Sequence, residues 1–537
     1  MKIHIKSLKC LFTCLVGGSR AARVPQVLFA ALGLILPGRV SAQTFTTLHS
    51  FSHDSDGATP FARLKLSGNT LYGTAANGGS ANYGTLFAVN TDGTGFTNLY
   101  NFTRFSDGAS PFGGVVLSGN TLYGPALGGG SSDQGTVFAV NTDGTGFTNL
   151  YNFTGGNDGA DPQAALIFSG NTLYGTAYAG GSSGKGTVFA VNTDGTGFTN
   201  LHDFSATSGP ALTNSDGALP YAGLVLSDNT LYGAAYNGGS LGKGTVFRVN
   251  TDGSGFTNLH NFSTDVTNVS GAKTNSDGAH PFAELYLSGE TLYGGTDGGG
   301  SWGFGTVFKL NTDGTGFTVL HSFAAGSGTL PPSAFTNSDG TFPSGLILSG
   351  NTLYGTGVAG GSSGNGTVFA VNTDGTGFTT LHSFTSLSPN DTNSDGTEPD
   401  AGLILSGNTL YGATFHGGNS GWGTVFSISF PPPQLTITPS EASVVLSWPT
   451  YAAGFDYSRY ILQSTTNLVS PPIWATVSPG PAVNDGQNVV INPISGSQQF
   501  YRLIQAWWLC SLASQCPCGF ECVAGICTRV SPCRGGR

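Results

Sequence analysis

Short apolar segments separated by glycine-rich and polar turns recur along most of this chain. One complete set spans Leu66–Phe102, and its core triplet, Leu-Tyr-Gly, returns at intervals of 51 to 61 residues. Self-similarity with this period indicates a supersecondary unit that buries its apolar faces against its neighbours. The seven copies, numbered here as repeats 1 to 7, begin this triplet at Leu71, Leu122, Leu173, Leu231, Leu292, Leu353 and Leu410.

Each repeat predicts four short antiparallel strands, a to d. In repeat 1 these are Phe61–Leu66, Leu71–Ala76, Thr85–Asn90 and Phe96–Phe102, separated by Gly, Asn and Asp turns typical of hairpins. Strand c is apolar on both of its alternating faces, which indicates burial on both. Four-stranded sheets stacked face to face would provide that burial.

The two ends of the repeat array predict that it closes on itself. A d-type strand, Thr44–Phe51, precedes the first a–b–c unit, and the last unit stops at strand c, Gly423–Phe430. Pairing these two strands completes the seventh sheet and removes the exposed edges that an open array would leave. The sequence therefore predicts an all-β fold, with a seven-bladed β-propeller over residues 43–430.

The repeat wording, LSGNTLYGTAxxGGSxxxGTVFxVNTDGTGF, resembles the GloVer tandem repeat of exported bacterial proteins, which include choice-of-anchor proteins. The resemblance covers about residues 44–430. It implies a secreted or cell-surface protein and no particular reaction. Relatives often end in a sorting segment with an apolar helix and a basic tail, and this sequence shows none.

The N-terminal residues 1–42 have the pattern of a secretory signal peptide. A long basic region precedes the apolar run Val27–Leu36, and the small residues Val40-Ser41-Ala42 suit cleavage before Gln43. Ten apolar residues are too few to cross a bilayer as a helix. We expect an exported protein with no membrane span after cleavage.

The region after the repeats predicts two further parts. A proline linker, residues 431–434, leads to residues 435–505, where alternating runs and an early Trp448 predict a small β-sandwich similar to fibronectin-type modules, acting as a spacer or accessory contact. Residues 506–537 form a cysteine-rich tail, for which disulfides are favoured over zinc in an exported chain. The six candidate disulfide cysteines are Cys510, Cys516, Cys518, Cys522, Cys527 and Cys533.

Charge narrows the range of partners. The net charge is −10, and the six basic residues of the first 42 leave −16 on the remainder. Nucleic-acid binding needs basic side chains that displace counterions, so this class is excluded. No cofactor is expected, and a monomer is expected.

Residues identical in every repeat are interpreted as structural. Gly57 and its counterparts follow Asp in the d–a loop and serve the turn, and Asp92 and its counterparts cap the c–d turn. The d-strand histidines, such as His202, alternate with tyrosine in two repeats and are interpreted as packing rings rather than zinc ligands. The Asp391–Gly396 segment matches half a calcium loop but lacks the final Glu, so a turn is favoured.

Specificity is expected where the repeats differ, first in the b–c loops. Large aromatics on Gly/Ser loops suit sugar stacking or protein contact, and the alternative is that they cover neighbouring sheets. The variable residues of these loops are Tyr83, Asp133, Gln134, Lys185, Lys243, Trp302, Phe304, Asn365, His416 and Trp422.

A second variable column, here the inner column, lies where the d–a loop enters strand a. Asp161, His280 and Glu398, together with Asp400 two residues further on, are expected near a channel mouth, where paired carboxylates would permit glycoside hydrolysis or a related reaction. The inner column consists of Thr59, Ser110, Asp161, Leu219, His280, Phe342 and Glu398.

These features predict an exported, non-catalytic binding protein that presents a face of loops to a carbohydrate or a cell-surface partner. The alternatives are a propeller glycoside hydrolase or polysaccharide lyase, and a structural or adhesion protein. The candidate ligand-binding residues are Tyr83, Trp302, Phe304, His416, Trp422, Asp161, His280, Glu398 and Asp400.

Overall fold

The computed structural model describes residues 43–268, 271–327, 335–440, 443–452, 454–468, 473–493 and 499–505, and the backbone of 520–523 and 526–529. All regular structure in these ranges is β-strand, apart from turns and bends. The predicted signal peptide and the side chains of the six tail cysteines lie outside the described residues. No helix in the described part of the chain is long and apolar enough to cross a membrane.

Antiparallel sheets follow the repeats along the chain. The first strand, β1 (Thr44–Ser50), stands before repeat 1. Repeat 1 contains β2 (Lys65–Ser67), β3 (Thr70–Ala75), β4 (Thr85–Asn90) and β5 (Thr97–Asn101), paired in that order. Repeats 2 and 3 pair in the same way over β6 (Val116–Ser118), β7 (Thr121–Ala126), β8 (Thr136–Asn141), β9 (Thr148–Asn152), β10 (Ile167–Ser169), β11 (Thr172–Ala177), β12 (Thr187–Asn192) and β13 (Thr199–Asp203).

Repeats 4 to 7 keep this pattern with local variations. Repeat 4 contains β14 (Val225–Ser227), β15 (Thr230–Ala235), β16 (Thr245–Asn250) and β17 (Thr257–Asn261), followed by a hairpin of β18 (Val266–Thr267) and β19 (Lys273–Thr274). Repeat 5 contains β20 (Ala279–Pro281), β21 (Tyr286–Ser288), β22 (Thr291–Gly298), β23 (Thr306–Asn311) and β24 (Thr318–Ser322). Repeats 6 and 7 contain β25 (Thr341–Ser349), β26 (Thr352–Ala359), β27 (Thr367–Asn372), β28 (Thr379–Ser383), β29 (Ile404–Ser406), β30 (Thr409–Thr414) and β31 (Thr424–Ser429).

Strand a is shorter than the sequence predicts. The prediction was Phe61–Leu66, whereas only Lys65–Ser67 pairs with β3. The preceding residues follow a left-handed Thr59 and Pro60, which has no N–H to donate to a ladder. Repeat 6 has one residue fewer in this segment, and there β25 pairs with β26 along most of its length, with one irregularity.

The first strand completes the last sheet, as the sequence predicted. β1 runs antiparallel to β31, with Thr44 opposite Ser429 and Ser50 opposite Thr424. Behind this pair, Phe51 packs in one buried cluster with residues of repeats 1 and 7, among them Leu64 and Val425. The two ends of the repeat array are therefore joined by both hydrogen bonds and apolar packing.

The apolar core lies between consecutive repeats. Strand c is buried on both faces, as predicted, and Leu86, Phe87 and Val89 of repeat 1 are all fully buried. Leu86 belongs to the cluster shared with repeat 2, whereas Phe87 and Val89 belong to the cluster shared with repeat 7. Alternate residues of one strand thus hold the two neighbouring sheets together.

A second connection between repeats confirms that the d-strand histidines are packing rings. In repeat 3, His202 Nε2 lies 3.1 Å from Asp216 Oδ2, and the imidazole stacks on Phe256 of the next sheet at 3.6 Å between centroids. Tyr100 makes the equivalent contacts in repeat 1, donating to Asp107 at 2.9 Å and stacking on Phe147. The seven stacked pairs are His49–Phe96, Tyr100–Phe147, Tyr151–Phe198, His202–Phe256, His260–Phe317, His321–Phe378 and His382–Phe45.

Replacing His202 tests whether the d-strand histidines act as packing rings. His202→Tyr is expected to retain most of the stability, because a tyrosine holds both the stack and the hydrogen bond in repeats 1 and 2. His202→Leu removes one partner of the buried Asp216 and is expected to lower the free energy of unfolding by about 1–3 kcal/mol. Urea denaturation of the two variants measures the difference. Equal losses for Tyr and Leu would show that the hydrogen bond contributes nothing.

The C-terminal region forms two larger sheets and two two-stranded sheets, β34–β35 and β41–β42. One of the larger sheets has the order β32–β33–β39–β38 and the other β37–β36–β40. Leu446, Trp448, Leu462 and Val490 of these sheets share one buried cluster. The strands are β32 (Thr436–Ser440), β33 (Ser443–Pro449), β34 (Tyr451–Ala452), β35 (Phe455–Asp456), β36 (Tyr460–Thr465), β37 (Ala475–Thr476), β38 (Ala482–Asn484), β39 (Gln487–Pro493), β40 (Phe500–Gln505), β41 (Phe520–Val523) and β42 (Ile526–Arg529).

The two larger C-terminal sheets are docked on repeats 6 and 7. Phe455 packs on Phe430 at 4.6 Å between ring centroids, within a cluster that also contains Tyr354 of repeat 6. The Asn351 N–H donates to Asp456 Oδ2 at 2.8 Å. The C-terminal sheets and the last two repeats therefore share one core.

Candidate functional site

The two variable columns are joined by one backbone hydrogen bond per repeat. The N–H of each inner-column residue donates to a carbonyl in the b–c loop of the preceding repeat, at 2.8 to 3.1 Å. The bond from Thr59 to Trp422 joins repeat 1 to repeat 7 and completes the set. The seven pairs are Thr59–Trp422, Ser110–Tyr83, Asp161–Gln134, Leu219–Lys185, His280–Lys243, Phe342–Phe304 and Glu398–Asn365.

The inner column holds its side chains in a left-handed backbone conformation. All seven residues have φ between 51° and 58°, including the β-branched Thr59 and the bulky Leu219 and Phe342. Such residues are disfavoured there, and glycine would adopt this conformation without steric strain. The conformation is kept with seven different side chains, of which Thr59 is buried and the other six are partly exposed, and backbone strain of this kind often marks functional positions.

Three predicted site residues meet in a pocket between repeats 6 and 7. Glu398 of the inner column and His416 and Trp422 of the last b–c loop line a cavity of about 510 Å³, here the repeat 6–7 pocket. His416 Nδ1 lies 3.0 Å from Glu398 Oε2, and both side chains reach solvent. The volume lies within the range typical of small-molecule sites. The other lining residues are Asn365, Leu387, Asn390, Asp391, Thr397, Ser420 and Gly421.

The backbone around this pocket is held on both sides. Thr397 and His416 exchange N–H···O=C bonds at 2.9 and 3.2 Å, which fixes the start of the b–c loop against the residue before Glu398. The Asn365 side chain donates to the Thr385 carbonyl at 2.6 Å. Trp422 stays 38% exposed while its ring lies 4.3 Å from the His53 ring, measured between centroids. An exposed indole face thus stands beside a carboxylate, an imidazole and amides.

Of the other predicted loop aromatics, two are covered by neighbouring segments and one is exposed. Arg104 lies over the Tyr83 ring, and Phe304 packs on Phe335 at 4.5 Å between centroids, so both are covered by neighbouring segments. Trp302 is 49% exposed and does not line the repeat 6–7 pocket. Of the large loop aromatics, Trp422 alone combines exposure with this pocket.

The predicted carboxylates do not form one site. Glu398 lines the repeat 6–7 pocket, whereas Asp400 lines a second cavity that receives residues from all seven repeats, here the shared cavity. Asp161 lines neither of these cavities, and burial raises the pKa of its carboxyl. His280 lies with Nδ1 3.1 Å from the Tyr236 carbonyl oxygen, and burial lowers the pKa of its imidazole.

A hydrogen bond between Tyr236 and Asp297 was not predicted, and Asp297 influences the pKa of the predicted Asp400. Tyr236 Oη donates to Asp297 Oδ2 at 2.8 Å. Burial raises the pKa of Asp297, although the tyrosine hydrogen bond opposes that shift. Burial, with smaller contributions from the Asp297 and Glu398 charges, raises the pKa of Asp400 to about 7, against the effect of a Ser344 hydrogen bond.

An ion pair across the shared cavity was also not predicted. Arg63 Nη1 of repeat 1 lies 3.3 Å from Glu284 Oε2 of repeat 5, and Arg63 Nη2 donates to the Leu346 carbonyl at 2.9 Å. A Cβ on Gly402 would stand 2.6 Å from Arg63 Nε, so the guanidinium packs closely against Gly402 and would have to shift for a larger residue. The sequence contains a signal for this ion pair, because Arg63 and Glu284 are charged at a repeat position that is otherwise Gly or Ala. The seven residues at this position are Arg63, Gly114, Ala165, Gly223, Glu284, Gly345 and Gly402.

The residues interpreted as structural have structural contacts. Gly57 has φ +97°, and a Cβ there would lie 2.4 Å from Thr85 Oγ1. The Asp92 carboxylate accepts from the Thr94 N–H at 2.9 Å, as a turn cap does. In the calcium-like segment, Asp395 accepts from the Thr385 N–H and lies 2.9 Å from His382, so it is engaged in the fold. Among the described residues, no cluster of His, Cys, Asp and Glu is arranged to hold a metal ion.

The structure defines an all-β repeat protein whose variable side chains stand on a conserved frame. The chain belongs to the Gloeobacter/Verrucomicrobia repeat family, whose model matches residues 31–212, 103–274 and 210–343. This finding confirms the resemblance seen in the repeat wording. No match is found among curated proteins.

Solved structures give only distant similarities. A Mycobacterium tuberculosis puromycin-hydrolyzing peptidase is 12% identical, with 76% of this chain and 61% of that chain covered and a TM-score of 0.43. An oligogalacturonate lyase in complex with manganese is 12% identical, with 73% and 97% covered and a TM-score of 0.41. A nidogen/laminin complex is 14% identical, with 58% and 93% covered and a TM-score of 0.34. At this distance the similarities carry no information about ligand or activity.

Proposed function

We propose that the seven repeat sheets form a closed seven-bladed β-propeller, followed by a docked β-sandwich. Three sevenfold sets support the proposal: the sheets, the stacked rings, and the hydrogen bonds that link the variable columns. In each set the last contact joins the start of the repeat array, either β1 or repeat 1, to repeat 6 or repeat 7 at its end. Seven contacts between successive sheets, the last of which leads back to the first sheet, are typical of a closed propeller.

We propose that this propeller is an exported, non-catalytic binding protein for carbohydrate, with the repeat 6–7 pocket as its binding site. The observation that supports this most directly is the half-exposed Trp422 indole beside the Glu398–His416 pair. A flat apolar ring suits the C–H face of a sugar, and the carboxylate, imidazole and amides suit its hydroxyls. The N-terminal signal pattern and the family support a secreted or cell-surface location.

Binding of the purified protein to a panel of polysaccharides and their oligosaccharides tests the proposal. Trp422→Ala is expected to weaken binding about 30-fold, the loss typical of a buried aromatic anchor of about 2 kcal/mol. Trp302→Ala is the matched control, because it removes a tryptophan that is also exposed, from another b–c loop outside this pocket, and it is expected to leave affinity unchanged. Equal affinity of wild type and Trp422→Ala for every bound sugar would contradict the assignment.

A catalytic function is the second candidate, favoured by the 3.0 Å contact between His416 and Glu398 in the same pocket. A carboxylate and an imidazole at this distance are able to exchange a proton with a bound substrate. Reducing sugar or unsaturated product released during the binding assay, and lost in Glu398→Gln but not in Asp161→Asn, would establish this function. Binding without product in the wild type supports the non-catalytic assignment.

A further inference from the structure

The shared cavity has the features of a second ligand site, separate from the repeat 6–7 pocket. It has a volume of about 80 Å³, room for several waters or for a ligand of about six non-hydrogen atoms. Its wall includes the Phe61, Tyr221 and Phe282 rings, and the last two stack at 4.2 Å between centroids. Small residues and aromatic rings therefore form most of the wall, with a few polar side chains among them.

Three of those polar groups have an atom without a hydrogen-bond partner in the described protein. Arg63 Nε, Gln163 Nε2 and Asp400 Oδ1 are all buried and unpaired, and all three residues line the shared cavity. They come from repeats 1, 3 and 7. An unpaired buried polar atom is expensive, so three around one small cavity point to a molecule that pairs with them.

The chemistry of these atoms restricts that molecule. Arg63 Nε and Gln163 Nε2 donate, so the ligand must accept, whereas an ionised Asp400 needs a donor. A cation would lie near the Arg63 guanidinium, and an anion would lie near the Asp400 carboxyl. Glu284 already pairs with Arg63, so the guanidinium needs no further counter-ion. Hydroxyl groups both donate and accept without charge, and they satisfy the whole set.

We propose that the shared cavity binds a small uncharged polyol of about six non-hydrogen atoms through Arg63, Gln163 and Asp400. The aromatic rings contact the carbon skeleton of the ligand, and the three polar groups contact its hydroxyls. This site uses no side chain of the repeat 6–7 pocket. It therefore stands or falls independently of the proposed carbohydrate function.

Ligand-observed NMR titration of the full-length protein with glycerol tests the proposal. Glycerol is expected to bind saturably, and propan-1-ol, glycerate and 3-aminopropane-1,2-diol of similar size are expected to bind at least about tenfold more weakly, because each loses hydroxyls or adds a charge. Preference for the anion, the cation or the monohydric alcohol would overturn the assignment.

Variants locate the binding. Gln163→Leu removes an unpaired donor at nearly constant shape, so it is expected to fold normally and to weaken glycerol binding about tenfold. Asp400→Asn is a second, isosteric test with the same expected direction. Trp422→Ala is the control and should leave glycerol affinity unchanged. Glycerol binding that is lost in Trp422→Ala but intact in Gln163→Leu and Asp400→Asn, no saturable binding, or ordered water alone in a glycerol-soaked crystal would each refute the proposal.

Discussion

Replacing Phe51 with alanine is expected to lower the free energy of unfolding by about 3–5 kcal/mol, the usual loss for a phenylalanine in a packed core. Phe51 directly follows the first strand, a position where chain ends commonly fray. In this structure it is fully buried against repeats 1 and 7, with Leu64 and Val425 in the same cluster. Guanidinium denaturation followed by tryptophan fluorescence measures the loss.

The matched control is Phe204→Ala, the same position at the end of the d strand in repeat 3. Both phenylalanines are fully buried, so a closed ring predicts equal losses. Phe105→Ala, at a residue 81% exposed, should change little. A clearly smaller loss for Phe51 than for Phe204 would mean that the array is open and that β1 is a frayed end.

Phe455→Ala is expected to have an effect of similar size, about 3–5 kcal/mol, by detaching the C-terminal sheets. Phe455 is fully buried and packs on Phe430, the last residue before the three prolines. The Tyr457 hydroxyl also donates to the Pro431 carbonyl at 2.6 Å, so the linker itself is part of the contact. Its loss should expose residues 431–434 to proteolysis.

Limited proteolysis combined with denaturation separates docking from the folding of the C-terminal sheets. The wild type should resist cleavage in the linker, and Phe455→Ala should be cut there into two stable fragments. Ile491→Ala is the control within the same region, because this side chain is 64% exposed. Linker cleavage at the same rate in the wild type and Phe455→Ala would show that the contact adds no stability.

The repeat pattern predicted most of the strands, because a strand is determined largely by residues that are close together in the sequence. Strand c of repeat 1 was predicted at Thr85–Asn90, where the structure has it, since its apolar run and flanking turns are local signals. The pairing of β1 with β31 followed from the unmatched strands at the two ends. Strand a was predicted too long, because the left-handed conformation at Thr59 is not encoded by a residue type such as glycine.

The site was predicted only in part, because which residues meet in space depends on how the repeats pack together and not on the sequence of a single repeat. The variable columns identified Glu398, His416 and Trp422, which meet in one pocket. The columns could not show that Asp400, two residues after Glu398, lines a different cavity from Glu398. Arg63 and Gln163 were missed because each is one of two polar exceptions at a repeat position that is otherwise small or aromatic, and such exceptions become meaningful only when residues of several repeats line one cavity.

The hydrogen bond that joins each inner-column residue to the preceding loop uses main-chain atoms alone. Side chains at both positions therefore change without breaking the connection between neighbouring repeats, as their natural variety within this one chain already shows. Fourteen positions, two per repeat, are linked in this way; Thr59 and Asn365 among them are buried, whereas others, such as Trp422, are exposed. A directed-evolution library confined to the exposed positions would vary the loop surface and keep the main-chain links between repeats.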